Sequence, residues 1–419
     1  MSTVDRHSKM DDNLRKTRSH TLSMIRGYPL DFLSDCQSKQ SLPECISCCD
    51  GLPSTFVPSF HDDKLIRKMT YRRVGNTNIF VSKISLVPVI YARKNFFFLL
   101  LGCGPIGGNY GRLESSVRKI IEVTLKSGIN LIDVGYWYGQ QRAEQILGKI
   151  LSKYPRQSYL LSVSVGRFDL DYTRTSDYRA DNILNSLTHS IKNLRLSFVD
   201  ICLLQIHDSD FYSYRGILLY ETLPALQVAQ RSGKIRLIGL VGYSLKKLAE
   251  VTDASPVQID IVMTYCRGTL NDNSLGEYYR FFESRNIAII NAAPLSMGLL
   301  TSSGPPKWHP APAKIKRACN DALKYCIEKE MSLEKLALYY ALNFPGICTC
   351  CVGMDSVKQV LENIKIAELE RLTVTEQRLQ DRLLRRQSYL YFDRLQNTSW
   401  ENLDLHEYWK HLKTLSSQT

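Results

Sequence analysis

Apolar positions change period repeatedly along the middle of the chain. Short apolar runs at 130–134, 159–165, 199–204, 235–241, 259–263, 288–292 and 347–352 read as strands buried on both faces. Between them, apolar residues recur at helical spacing over 115–127, 142–152, 180–194, 221–232, 244–252, 274–284, 313–329 and 356–367. The first strand of the series is expected between Ile84 and Gly104. Strict strand–helix alternation predicts a parallel sheet covered by helices. Eight such units fit a closed (β/α)8 barrel, an α/β TIM barrel, better than an open sheet. Ahead of them, apolar stretches at 69–74 and 79–84 flank a Gly75-Asn76-Thr77-Asn78 turn and predict an N-terminal β-hairpin.

The ends differ from this middle. Residues 1–68 are rich in Ser, Asp, Lys and Arg without sustained period, and are expected to be a mostly disordered extension. The barrel is expected over 69–370. Residues 371–419 are expected to form a helical tail, opened by the capping-box pair Thr373 and Glu376. One internal stretch is out of character: VPVIYARKNFFFLLL at 87–101 interrupts the first barrel strand. It is too short, and too charged in its middle, to span a membrane. A long bulge in a buried strand is one reading. The other is a segment foreign to the fold, because Leu86 and Gly102 would join smoothly without it.

Composition changes this picture little. The 419 residues carry a net charge of +13, but Lys and Arg are scattered in short groups such as Arg72-Arg73 and Arg385-Arg386. No dense basic run is interleaved with aromatics, so no nucleic-acid partner is expected. Twelve cysteines are many, yet the first thirty residues hold no apolar core of a signal peptide. A cytoplasmic, reducing location with free thiols is expected, and no membrane association. Neither Cys45, Cys48 and Cys49 nor Cys348, Cys350 and Cys351 has the second matched pair of a structural zinc site, so no metal is expected. The glycines of Gly102-Cys103-Gly104-Pro105-Ile106-Gly107 lie in loop context and do not make a Rossmann fingerprint.

In a barrel, chemistry stands at the carboxyl ends of the strands. One such end carries Asp133 and, a loop away, Tyr138. The next carries Ser162 and Ser164, and the one after it carries His207. A buried carboxylate, a phenol and an imidazole could surround one carbonyl oxygen, which needs a proton donor and hydrogen-bond donors as hydride arrives at its carbon.

Four segments then occur together and in order. They are IDVGYWYGQQRAEQILG at 132–148, NAAPLSMGLL at 291–300, GPPKWHPAP at 304–312 and VGMDSVKQVLEN at 352–363. Jointly they resemble the aldo-keto reductase family, most nearly its L-galactose dehydrogenase-like branch, over about residues 56–400. The resemblance implies an NAD(P)-dependent oxidoreductase that moves hydride between a nicotinamide cofactor and a sugar, alcohol or carbonyl substrate, as a monomer or weak oligomer. It implies Tyr138 as acid/base, His207 as orienter of the substrate oxygen and Asp133 as the buried carboxylate. Cofactor contacts are implied at Gly104, Leu295, Ser296, Gly298 and Leu299 and at Gly353, Asp355, Ser356, Gln359, Glu362 and Asn363. Trp137 and Trp400 are candidates either for the substrate pocket or for ordinary burial.

The sequence departs from the family pattern at two points. Where the family reads Thr-Lys-Val-Gly-Arg around the third strand, this chain has Ser164 at the lysine position. An ammonium stabilises a nearby phenolate, whose phenol otherwise titrates near pH 10. Its replacement by a hydroxyl is expected to raise the Tyr138 pKa and to cost about 10²- to 10³-fold in rate. Val241 replaces the hydroxyl-bearing residue that helps hold the nicotinamide amide, a loss of about 1 kcal/mol. Asp355, standing where NADP-preferring members carry a base, favours NAD over NADP. The alternative is a catalytically dead barrel that binds a dinucleotide or a protein partner. The family runs unbroken through the region of 87–101. A segment that begins with Val and ends in Phe and Leu has the codon makeup of a short retained intron. Transcript sequencing is expected to show a message lacking it; the long message as the sole form would rule this out.

Overall fold

The computed structural model describes residues 45–46, 51–88, 110–135, 142–167, 177–206, 211–305, 309 and 311–388, and for 45–46, 110–116 and 385–388 the backbone alone. Three short strands come first: β1 (Cys45–Ile46), β2 (Tyr71–Arg73) and β3 (Phe80–Ser82). They form one antiparallel sheet, and β2 with β3 is the expected hairpin. Eight parallel strands follow: β4 (Ile84–Pro88), β5 (Leu131–Gly135), β6 (Leu160–Val165), β7 (Val199–Gln205), β8 (Ile235–Gly242), β9 (Ile261–Tyr265), β10 (Ala288–Ala292) and β11 (Ile347–Met354). They close in chain order into a barrel, β11 pairing with both β10 and β4. The (β/α)8 architecture read from the periodicity is the fold of the protein.

Closure leaves no unpaired strand edge, and strand alternation sorts every residue inward or outward. Leu131, Leu160, Leu203, Val241, Met263 and Ile290 fill the lumen, with Val74, Ile79 and Val81 of the hairpin packed into the same cluster. Their strand neighbours Ile132, Leu161, Cys202, Leu204 and Leu240 pack outward against the helices. A register shift between Ile289 and Ile290 leaves one extra residue in β11. There Cys348 joins the lumen cluster, and its thiol donates to the Ile289 carbonyl at 3.3 Å.

Three helix assignments need correction. The expected segment 221–232 belongs to a longer run: α5 (Phe211–Ile217), a π-helical turn at Leu218–Thr222, and α6 (Leu223–Arg231). The π turn abuts Pro224, which has no N–H to give. The expected helix at 274–284 is a 3₁₀ turn, Ser274–Glu277, and a short helix, Tyr279–Glu283. Leu333–Leu342 is a helix that periodicity missed, because it is apolar nearly all round and buried. Outside it, the helices Ala313–Glu328 and Val374–Ser388 build a separate apolar cluster on the barrel wall around Leu300, Cys319, Leu336 and Leu379. The tail helix opens with the expected capping box: Thr373 Oγ1 accepts from the Glu376 N–H at 3.3 Å, and Glu376 Oε2 accepts from the Thr373 N–H at 3.0 Å.

The boundary expected at residue 68 also moves. Residues 51–68 pack beneath the barrel, with a helix at Asp63–Lys68 whose N-cap is Asp62. Asn130 ties this segment down: its Nδ2 donates to Thr55 Oγ1 and the Phe80 carbonyl, and its Oδ1 accepts from the Ser82 N–H. A few anchors, Phe56, Phe60 and Ile66, suffice in a stretch whose average composition is polar. The strand β4 runs on through Val87 and Pro88, opposite Gly353 and Met354, so the first two residues of the anomalous segment belong to the barrel. The remainder, 89–101, lies outside the described residues.

Two helices of the wall meet closely at Gly148. On α3 (Arg142–Leu151), Glu144 is fully buried and accepts from Ser190 Oγ at 2.7 Å and Asn193 Nδ2 at 3.1 Å, both on α4 (Ala180–Asn193) or its last turn. A Cβ at Gly148 would stand 2.2 Å from the Asn193 carbonyl oxygen and 2.9 Å from Leu194 backbone. Gly148→Ala is therefore expected to cost about 1–3 kcal/mol and lower the melting temperature by several degrees. An unchanged melting temperature would contradict this packing.

Candidate active site

The carboxyl ends of the eight strands define one rim. Asp133 faces the lumen just below it, one residue along from Ile132 and Val134, which face the helices. It is 1% exposed, and its charge adds to the burial that pushes the Cys351 thiol well up. Ser162 lies directly opposite on β6, fully buried, its hydroxyl without a hydrogen-bond partner among the described residues. Ser164 stands two residues nearer the rim, half-buried, in register with Gly135 and Leu203. From strand spacing and rise, its Cα lies roughly 8 Å from that of Asp133, within reach of a lysine side chain but not of a serine. Tyr138, His207, Gly104, Trp137 and Trp400 lie outside the described residues.

The strand that leads to His207 is held firmly. Tyr178 donates its hydroxyl to the Gln205 carbonyl at 2.7 Å, and the Ile206 N–H donates to the Val241 carbonyl at 2.7 Å. Tyr178 stacks on Tyr214 and its own carbonyl accepts from Thr222, so the π turn braces this end of β7. Val241 is fully buried in the lumen cluster, with no polar atom to offer there.

The implied cofactor residues fall into two adjacent groups, since β10 and β11 are neighbours. Leu295, Ser296, Gly298 and Leu299 form the turn after β10. Its backbone is left-handed at Ala293 (φ 55°), Ser296 (φ 49°), Met297 (φ 54°) and Gly298 (φ 100°). Glycine adopts this freely, but the other three cost roughly 1 kcal/mol or more each. Leu295, with φ −95° and ψ 17°, precedes the left-handed pair, a sequence of conformations that turns successive N–H groups into one concavity. The N–H groups of Leu295 and Met297 meet no acceptor among the described residues. Such a cradle fits a pyrophosphate.

The Ser296 hydroxyl, however, faces away from that concavity. It is fully buried, donating to Asn271 Oδ1 at 2.5 Å, with Thr269 Oγ1 3.2 Å away. The Ser296 N–H donates to the Ala293 carbonyl at 2.9 Å.

The second group sits at the end of β11 and the start of the helix Val357–Ala367. Gly353 is exposed on the rim. Ser356 caps the helix by accepting from the Gln359 N–H, while Gln359 Oε1 accepts from the Asp355 N–H at 3.0 Å. The two side chains are thus spent on shaping the helix start, and the free N–H groups of its first turn remain to meet an anion. Glu362 lies 3.8 Å from Lys358 on the exposed side. Asp355 places a carboxylate beside the cap.

Sequence reading missed what links the rim loops. After β9, Cys266 is left-handed (φ 61°), and Arg267 is buried against Asp272 at 2.8 Å while donating to the Tyr243 carbonyl at 3.1 Å. Burial pushes the Asp272 carboxyl up, and Arg267 opposes it. Tyr243 and Tyr265 set their rings 5.0 Å apart at the mouth. No sequence pattern marks this pair, since the buried Leu270 interrupts the polar residues between Arg267 and Asp272.

A (β/α)8 barrel with a left-handed turn after its seventh strand, a capped helix after its eighth and a buried carboxylate below its rim is a frame that suits a nicotinamide-dependent oxidoreductase. The family model of the aldo/keto reductase family matches residues 99–384, and the chain belongs to that family. It is 34% identical over 319 residues to L-galactose dehydrogenase of Arabidopsis thaliana, covering 75% of this chain and 93% of that one. To D-arabinose 1-dehydrogenase of Saccharomyces cerevisiae it is 29% identical over 288 residues, covering 64% and 83%. Among solved structures, an aldo-keto reductase of Bacillus halodurans in its holo form shares the fold with a TM-score of 0.58 at 23% identity, over 75% of this chain and 96% of that one. The protein is therefore an oxidoreductase of this family, with a nicotinamide cofactor and a small sugar or carbonyl substrate. The family match begins inside the anomalous segment 87–101. No helix of the described residues is long and apolar enough to cross a membrane.

Proposed function

We propose that the chain is an NAD-linked dehydrogenase of a sugar or related alcohol, working also as a reductase, with turnover lowered by Ser164. The nicotinamide, when bound, gives or takes the hydride. The chain's part is to hold the substrate oxygen and move its proton. Tyr138 gives that proton from its phenol in reduction and takes it in oxidation, and His207 donates a hydrogen bond to the same oxygen. Asp133 is buried on β5, the strand that leads to Tyr138.

The observation that carries this reading is the placement of Asp133 and Ser164 on one lumen face, a lysine's length apart, below the strand ends that lead to Tyr138 and His207. With lysine there, its ammonium would offset Asp133 and stabilise the phenolate. With serine, that stabilisation of the phenolate is lost. Oxidation, which needs the phenolate as base, suffers more than reduction, which needs the phenol as acid. The inward-facing Ser164 and the apolar Val241 also favour a second reading, a barrel that binds the dinucleotide without turnover. Asp355 supports NAD, since a carboxylate repels a 2′-phosphate and accepts from a free 2′-hydroxyl.

Ser164→Lys is expected to raise kcat for oxidation by about 10²-fold, and that for reduction by less. A panel of sugars and aldehydes assayed with both dinucleotides measures this. An unchanged rate would sink the electrostatic account, and no turnover by either protein would favour the second reading. NAD is expected to bind more tightly than NADP, and the reverse order would refute the role given to Asp355.

A further inference from the structure

His309 belongs to the segment 304–312, yet it touches the turn after β10 from behind. It is 2% exposed, and its Nε2 lies 3.0 Å from the Ser296 carbonyl oxygen. Its Nδ1 accepts from the Ala311 N–H at 3.1 Å. An accepting Nδ1 puts the ring proton on Nε2, so the imidazole donates to Ser296. Burial, with Lys316 adding to it, lowers the His309 pKa to about 4 and keeps that tautomer through the neutral range.

Ser296 is consequently gripped at both of its polar ends. Asn271 and Thr269, from the loop after β9, hold its hydroxyl, and His309 holds its carbonyl. At these grips the chain enters the left-handed pair Ser296 and Met297, an arrangement non-glycine residues leave unless it is held. The Leu299 N–H also donates to that Ser296 carbonyl, which closes the turn.

We propose that His309 is a positioning residue for the dinucleotide. By fixing the Ser296 carbonyl it holds the left-handed turn, and with it the N–H groups of Leu295 and Met297 that receive the pyrophosphate. The inference rests on the cofactor reading given above. It also supplies a reason for a histidine at this point of the 304–312 segment: the ring bridges two backbone groups 15 residues apart in sequence, Ser296 and Ala311.

Two variants separate the two ring nitrogens. His309→Asn can keep the acceptor toward Ala311 and loses the donor toward Ser296. His309→Gln can keep the donor. Calorimetric dissociation constants for NAD and for adenosine 5′-monophosphate are compared with kcat at saturating NAD. For His309→Asn, NAD binding is expected to weaken about tenfold and KM for NAD to rise with it, the scale of one lost hydrogen bond. Adenosine monophosphate binding and kcat should stay within about twofold, since the start of the helix after β11 and the reacting end are untouched. His309→Gln should recover most of the NAD affinity. NAD binding by His309→Asn equal to that of the parent overturns the inference, as does equal weakening of both ligands. If His309→Asn does not fold, Asn271→Ala releases the turn from the hydroxyl side and is expected to show the same selective loss; its absence is equally fatal. A parent protein that binds no dinucleotide overturns the cofactor reading, and this inference falls with it.

Discussion

Closure of eight parallel strands into a ring is the constraint on which everything else depends. Once no strand has a free edge, the period of two decides which residues share the lumen, and the register decides their height. Asp133, Ser162 and Ser164 face one another across β5 and β6 for that reason alone. The same closure makes β10 and β11 neighbours, so a left-handed turn and a capped helix start lie side by side on the rim. The lower end is plugged by apolar hairpin residues such as Val81, leaving the rim as the open end for a polar ligand.

Much of this was legible beforehand. Strands buried on both faces read as unbroken apolar runs, and each of the eight was located to within a few residues apart from the first. That strand carries the 87–101 segment, and composition could not reveal that Val87 and Pro88 still pair with β11. The helix at Leu333–Leu342 escaped because burial on all sides erases helical periodicity. Residues 51–68 escaped for the opposite reason, since three or four anchors among polar neighbours leave no period to find.

The candidate site was legible by residue type but not by partner. Ser296 belongs to a turn expected to meet phosphate through its backbone, and no spacing rule shows that its hydroxyl turns inward to Asn271 and Thr269. Ser356 and Gln359 shape a helix start rather than reach outward. His309 lies within the 304–312 segment, but its use depends on a carbonyl in another loop, which no spacing rule encodes. The buried pair of Arg267 and Asp272 was likewise invisible until the loop after β9 was seen to fold back on itself. Local patterns announce elements well; they announce tertiary hydrogen bonds poorly.

The central proposal is that the Tyr138 phenol acts as acid and base without a lysine at the position of Ser164. The most direct test is the pH dependence of alcohol oxidation measured in a single turnover with saturating NAD. With serine in place of the family's lysine, the rate should climb steadily to about pH 9 or beyond without levelling, as expected of a phenol at or above its reference value near 10. A plateau reached by about pH 7.5 would mean that another group supplies the missing charge, and would contradict the account.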